Sequence, residues 1–303
     1  MPEPFIDRLI EAIRAKNSPI CVGIDPMPDK FPAELRPGNL RDRDAVVAAI
    51  DAFGRGVIDA VADVAPIVKL QSAYFERLVW PGVQTYYELI RYAHSKGLLV
   101  IGDVKRGDIG ATSEAYAAAH LEAMNFEDHP PADTPDAITV NPFLGFDTLK
   151  PFVDVCKAQQ KGLFVLVRTS NPGSGDLQDL RTESGATLSE LIADKVTGIA
   201  TEAGLVGKFG YSSIGAVVGA TQTHTIESLR KRLPKSVFLL PGYGTQGATA
   251  EMTRAAFDQN GLGAIVSASR SVLYPPREAG EPWQNAVRRA ATAMRDQLRN
   301  VVG

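Results

Sequence analysis

The chain has 303 residues, 45% of them hydrophobic and 22% charged, with 32 Lys and Arg against 35 Asp and Glu and only two cysteines. These proportions exclude a disordered tail and a disulfide-stapled miniprotein, and the length suffices for one large barrel or two smaller domains. A formal net charge of −3 leaves no summed positive field for a broad nucleic-acid-binding surface, so an anionic ligand must be held by a few local cations.

At the N-terminus Glu3, Asp7, Arg8, Glu11, Arg14 and Lys16 are scattered through the first residues. They interrupt any signal-peptide apolar core and suit a helix over about 4–16. Nowhere does the chain approach the roughly 18 consecutive apolar residues of a membrane span. Cys21 and Cys156 sit in apolar-rich stretches and read as free thiols of a reducing compartment. The expectation is a cytoplasmic protein with neither a membrane nor a nucleic-acid partner.

Apolar runs rich in β-branched residues then recur at 20–25, 67–71, 98–105, 137–141, 163–168, 214–218, 237–240 and 264–267. Between them lie segments long enough for helices, several with apolar residues at helical spacing, as in 45–64, 83–94, 148–159 and 188–203. Strand-helix alternation implies parallel pairing through right-handed crossovers, and continuously apolar strands are what a sheet covered on both faces requires. Eight such units predict a single-domain (β/α)8 barrel over residues 1–303. No G-x-G-x-x-G follows the first strand, which removes the dinucleotide-binding alternative. Polar stretches at 26–44, 127–135 and 171–185 are expected to be loops, the third a cover for an active site.

In such a barrel the reacting groups project from the C-terminal ends of the strands. Those ends carry Asp25, Lys69 and Gln71, Asp103 and Lys105, Asn141, Arg168 to Ser170, Pro241 to Gln246, and Ser267 to Arg270. Residues i and i+2 of a strand share a face, so Asp103 and Lys105 are expected to look inward together, with Lys69 beside them and Asp108 a turn further on. Such a row of alternating charge is a costly way to stabilise a fold and reads as functional. The flanking carboxylates favour the ammonium form of Lys105, hence an acid rather than a Schiff-base nucleophile. The glycine-rich run from Pro241 to Gly247 and the pair Ser269-Arg270 occupy the places where barrels of this kind hold phosphate, with Arg270 as a bidentate fork. His94, His120, His129 and His224 are dispersed, so no metal site is expected.

Together, Gly23-Ile24-Asp25-Pro26, Val68-Lys69, the run from Asp103 to Thr112 (D-x-K-x-x-D-I-x-x-T), Pro241-Gly242-Tyr243-Gly244-Thr245-Gln246 and Ser269-Arg270 resemble the orotidine 5′-phosphate decarboxylase family, over about residues 21–271. The resemblance implies a homodimeric barrel that converts orotidine 5′-phosphate to UMP and CO2 in pyrimidine synthesis, without metal or organic cofactor. It implies that Lys105 protonates C6 of the pyrimidine and that Asp103 lies against the departing carboxylate. Lys69 and Asp25 would contact the ribose, and Asp108 and Thr112 would reach into the partner's site. Ser170 would meet the pyrimidine edge, Gln246 would bridge base and phosphate, and Arg270, flanked by Ser269, Pro241 and Gly242, would bind phosphate. The sequence departs from the commoner family pattern at Gly107, where a bulky residue is usual, at Gly110, where Pro is frequent, and in the length of the 127–135 and 171–185 stretches. Lys69 disfavours a magnesium-dependent sugar-phosphate decarboxylase, which has an acid there. The neighbouring carboxylates disfavour a Lys-dependent aldolase, and a non-catalytic phosphate-binding barrel would not need the charged row.

Overall fold

Runs such as ICVGI and IVKLQ are apolar at nearly every position because each strand is covered twice, by barrel interior and by outer helices. The computed structural model describes residues 3–123, 133–220, 223–244 and 247–302. Its eight strands are β1 (Ile20–Ile24), β2 (Ile67–Gln71), β3 (Leu99–Arg106), β4 (Ala137–Val140), β5 (Gly162–Arg168), β6 (Ser212–Val218), β7 (Ser236–Pro241) and β8 (Ala264–Ala268). Each is parallel to its sequence neighbour, and β1 pairs with β8, Ile20 opposite Val266, to close the barrel. The fold is the (β/α)8 barrel expected from the alternation.

The N-terminal helix Phe5–Lys16 stoppers the barrel floor. Phe5, Ile6, Leu9, Ile10 and Ile13 pack against Cys21, Ile67, Ile101, Ala137, Phe164 and Ile265, and each such side chain removed from water contributes about 1.5–3 kcal/mol. With the floor covered by this helix, the barrel opens at its C-terminal rim. On the outside, helix Arg43–Val61 starts where Asp42 Oδ1 accepts the Ala45 N–H at 3.1 Å, so the polar stretch predicted to run to residue 44 ends at Asp42. The ring of Phe53 from this helix lies between those of Phe31 and Trp283, the latter from the C-terminal helix Trp283–Val302.

The stretch at 171–185 is more structured than a bare loop. It contains the 3-10 turn Pro172–Ser174 and the short helix Gly175–Gln178, and Arg181 bridges to Thr187. Of the 127–135 stretch, residues 127–132 lie outside the described residues. No helix among the described residues is long and apolar enough to cross a membrane.

Candidate active site

At the mouth a cavity of about 430 Å³ is bordered by Asp25, Lys69, Gln71, Asp103, Lys105, Ser170, Pro241, Gly242, Ser269 and Arg270, with Leu166, Val217 and Leu239 as its apolar part. Several of the residues expected at strand ends therefore line one cavity. Asp103 is the hub. Its Oδ2 accepts from Lys69 Nζ at 2.8 Å and from Gln71 Nε2 at 3.0 Å. Its Oδ1 accepts from Lys105 Nζ and from Thr139 Oγ1, the latter at 2.9 Å. Lys69 Nζ also stands 3.9 Å from Asp25 Oδ1, an oxygen with no hydrogen-bond partner among the described residues.

The electrostatics follow from this enclosure. Burial alone would push the Lys69 ammonium toward its neutral form, but Asp103 and Asp25 outweigh it and hold its pKa above the ordinary lysine range. Burial would likewise raise Asp103, but Lys69 and Lys105 hold its carboxyl well below the usual carboxylate range. Lys69 and Asp103 are buried, whereas the Lys105 side chain is partly open to the cavity. The ammonium of the array most open to the cavity is thus that of Lys105.

One local expectation is corrected. Asp103 and Lys105 do meet at the mouth, but not through regular strand alternation: the β3–β4 register shifts between Gly102 and Arg106, and Lys105 has φ +45°, a left-handed conformation that costs a non-glycine residue of order 1–3 kcal/mol. The shift re-aims the side chain.

The loops around the rim are fastened individually. Tyr274 Oη accepts from the Met27 N–H at 2.8 Å and donates to the Asp25 carbonyl at 3.1 Å, tying the loop after β1 to the segment after β8. A Cβ on Gly23 would stand 2.1 Å from Ser269 Oγ, so glycine there lets the Ser269-Arg270 segment approach β1. In the loop after β7, Gly242 has φ +105°, a conformation reserved for glycine. Gln246 lies outside the described residues.

Arg168, expected among the ligand-facing strand ends, does not border the cavity. Its guanidinium holds Asp179 through two bonds of 2.9 Å and bonds to the Thr169 carbonyl and Ser174 Oγ. Gln178 Oε1 accepts the Thr169 N–H at 2.8 Å. These contacts clamp the 171–185 segment onto the end of β5, where Ser170 and Asn171 border the cavity. Asn141 is satisfied locally, its Oδ1 accepting from the Phe143 N–H.

Asp108 and Thr112 are absent from the wall of this chain's own cavity. Asp108 Oδ1 accepts the neighbouring Ile109 N–H at 2.8 Å, and Thr112 is exposed on the helix Gly110–Leu121. Among the described residues no three His, Cys, Asp or Glu side chains cluster as metal ligands. Both cysteines are free and buried, and burial pushes their thiols up to about 12.

Sequence reasoning passed over Thr139, whose hydroxyl touches both Asp103 and the backbone of Lys105. A threonine within an apolar strand run reads as one more β-branched core residue, and only its partner atoms reveal otherwise.

The chain is similar to known proteins along most of its length. Residues 18–281 match the orotidine 5′-phosphate decarboxylase / HUMPS family. The orotidine 5′-phosphate decarboxylase of Rhodopirellula baltica is 43% identical, covering 97% of this chain and 99% of that protein. That of Clostridium perfringens is 38% identical over 98% of both. The structure of Leishmania donovani OMP decarboxylase superposes with a TM-score of 0.74 at 29% identity, over 99% of each chain. Since the similarity runs from end to end and takes in every strand that contributes to the mouth, the chain belongs to the orotidine 5′-phosphate decarboxylase family.

Proposed function

We infer that this chain, as one barrel domain over residues 1–303, converts orotidine 5′-phosphate to UMP and CO2 in de novo pyrimidine biosynthesis, the activity for which its relatives are named. The observation that carries the assignment of roles is that the Lys69–Asp103–Lys105 array shares one cavity with Gly242 and Arg270. Cleavage of the bond from C6 to its carboxyl carbon leaves the electron pair in the ring plane, where the π-system delocalises it poorly. Lys105 supplies positive charge where that pair develops and transfers its Nζ proton to C6 as CO2 departs, to be reprotonated from solvent. Asp103 fixes both lysines and adjoins the departing carboxylate. Asp25, with its free Oδ1, and Lys69 hold the ribose hydroxyls, Ser170 the pyrimidine edge, and Arg270 with Ser269, Pro241, Gly242 and Gln246 the phosphate. No step of this reading needs a metal or organic cofactor.

The shared-site homodimer is supported by what one chain leaves unused. Asp108 and Thr112 stand away from their own cavity. The segments that follow the adjacent strands β2, β3 and β4 also expose Val79 (66%) and Trp80 (70%), at the start of the helix Val79–Ser95, and Ile109 (62%) and Phe143 (71%), an apolar surface suited to a second copy. Free buried thiols support a reducing, cytoplasmic location. The direct test is UMP formation from orotidine 5′-phosphate in chelator-treated buffer; absence of product overturns the reading. Mixing inactive Lys105→Ala and Asp108→Ala proteins should restore about a quarter of wild-type activity, because half the dimers are mixed and each holds one intact site. No recovery on mixing argues against the cross-subunit placement.

A further inference from the structure

We propose that Thr139 is a positioning residue for this reaction: its single hydroxyl holds the displaced segment of β3 that aims Lys105 and orients the carboxylate of Asp103. The proposal rests on the function inferred above and adds a residue that the sequence motifs do not contain.

The geometry is specific. Gly102 pairs with Ile138 and Arg106 with Val140, so on β4 only Thr139 lies between positions that on β3 are separated by Asp103, Val104 and Lys105. A parallel ladder cannot supply regular partners across such a mismatch, and an unpaired backbone N–H beside a buried site is costly. The Lys105 N–H donates instead to Thr139 Oγ1 at 3.0 Å. The same oxygen donates to Asp103 Oδ1 at 2.9 Å, the carboxylate oxygen that also receives Lys105 Nζ. A hydroxyl can accept and donate at once, and this one does both toward the two residues whose relative placement decides the chemistry. Thr139 is almost fully buried, so solvent water does not readily replace it.

The left-handed backbone of Lys105 gives the hydroxyl its mechanical purpose. A strained conformation persists only where surrounding contacts over-determine it, and Thr139 supplies the side-chain contact made directly to that residue's N–H. Valine in its place would keep the shape and remove both bonds. Lys105 could then relax toward extended backbone, carrying Nζ off its line to the reacting carbon.

The test compares wild type with Thr139→Val and Thr139→Ser. Thr139→Val should lower kcat about 10- to 100-fold, the range expected when a reacting group is misplaced by about an ångström. KM and the affinity for UMP should stay within a few-fold, since the Thr139 hydroxyl bonds to Asp103 and Lys105 and to none of the groups assigned to phosphate and ribose. Thr139→Ser should restore most of kcat. Amide hydrogen exchange of the peptide containing Lys105, measured on unliganded protein, should speed up in Thr139→Val and not in Thr139→Ser. That readout separates this proposal from the assignment of function, because it requires no turnover. Thr139→Ala takes the place of the valine variant if the latter does not fold. Wild-type kcat in Thr139→Val, equal impairment of the serine and valine variants, or unchanged exchange at Lys105 would each overturn the positioning role.

Discussion

Two buried aspartates one strand apart put similar chemistry to opposite use. Asp103, near the top of β3, binds two lysines, an amide and a hydroxyl. Asp136, just before β4 at the barrel floor, binds Arg8, contacts His94 Nε2 at 2.9 Å and accepts the Val100 N–H at 2.9 Å. Each has its carboxyl held low against the effect of burial, Asp103 by Lys69 and Lys105 and Asp136 by its contacts with His94 and Arg8. At the floor the partners belong to the N-terminal helix, the helix Val79–Ser95 and β3, so the charge is spent joining elements of the fold. At the mouth both lysines border a cavity, but only the Lys105 side chain is substantially open to it, and the backbone of that residue is strained. A buried ion pair therefore identifies a site only when one partner remains available to a ligand.

The sharpest way to test the distinction is to remove that available cation. Lys105→Ala should lower turnover by at least about 10⁴-fold, combining loss of a proton donor and of transition-state charge stabilisation. Its unfolding midpoint in urea should stay near wild type. Substantial UMP formation by this variant, or a collapse of stability, would erase the difference between mouth and floor.

The floor should give the reverse result. Asp136→Ala leaves Arg8 and the Val100 N–H without their carboxylate and should cost about 3 kcal/mol, the lower part of the range for breaking a buried pair. The residual folded enzyme should keep wild-type kcat. If kcat falls while urea unfolding is unchanged, Asp136 belongs to the chemistry after all.

How far these roles were legible in the sequence depends on the kind of signal each left. The eight strands showed themselves because double coverage makes them uniformly apolar, and Asp25, Lys69, Asp103 and Lys105 stood out as charges ending such runs. The helix Gly110–Leu121 is alanine-rich with little apolar asymmetry, so periodicity marks it weakly. The helix Trp283–Val302 carries a clear stripe of Ala286, Val287, Ala291, Met294 and Leu298, but it follows the last strand, where the alternation stops giving guidance. Arg168 ends a strand just as Lys69 does, yet turns to Asp179. Sequence places a side chain at the rim without saying which neighbour takes it. The bulge at Lys105 is invisible for a related reason, because it arises from a mismatch between two strands and not from either one.

A smaller effect than loss of Lys105 is expected at the rim. Arg270→Ala should raise KM roughly 10- to 100-fold, matching the 1.5–3 kcal/mol of a charged hydrogen bond, with a lesser fall in kcat as remote binding energy is lost. Inorganic phosphate or a phosphate-free substrate analogue should compete or react equally with both proteins only if Arg270 plays no part in holding phosphate. An unchanged KM would remove it from that role.

The least conspicuous effect concerns acid. Asp103 and Asp136 both have lowered carboxyl pKa values in the folded state, so unfolding takes up protons once the medium nears the unfolded value of about 3.9. Their contribution to stability is complete above roughly pH 5 and is lost as pH falls through the folded values. Lys69, with its pKa raised, behaves oppositely: its contribution is complete well below about pH 10 and is lost as pH rises beyond that. Between these limits neither Lys69 nor Asp103 changes charge, and neither should introduce a titration into the rate profile from about pH 5 to 9. Asp136→Asn removes one of the acid-sensitive groups. Urea unfolding followed from pH 5 downward should show stability falling less steeply than in wild type, by up to about 1.4 kcal/mol per pH unit for one proton fewer, while the slopes coincide above pH 5. Coincident slopes below pH 4 would mean that Asp136 is no better held in the folded chain than in the unfolded one, and the floor would lose its claim to be an electrostatic counterpart of the mouth.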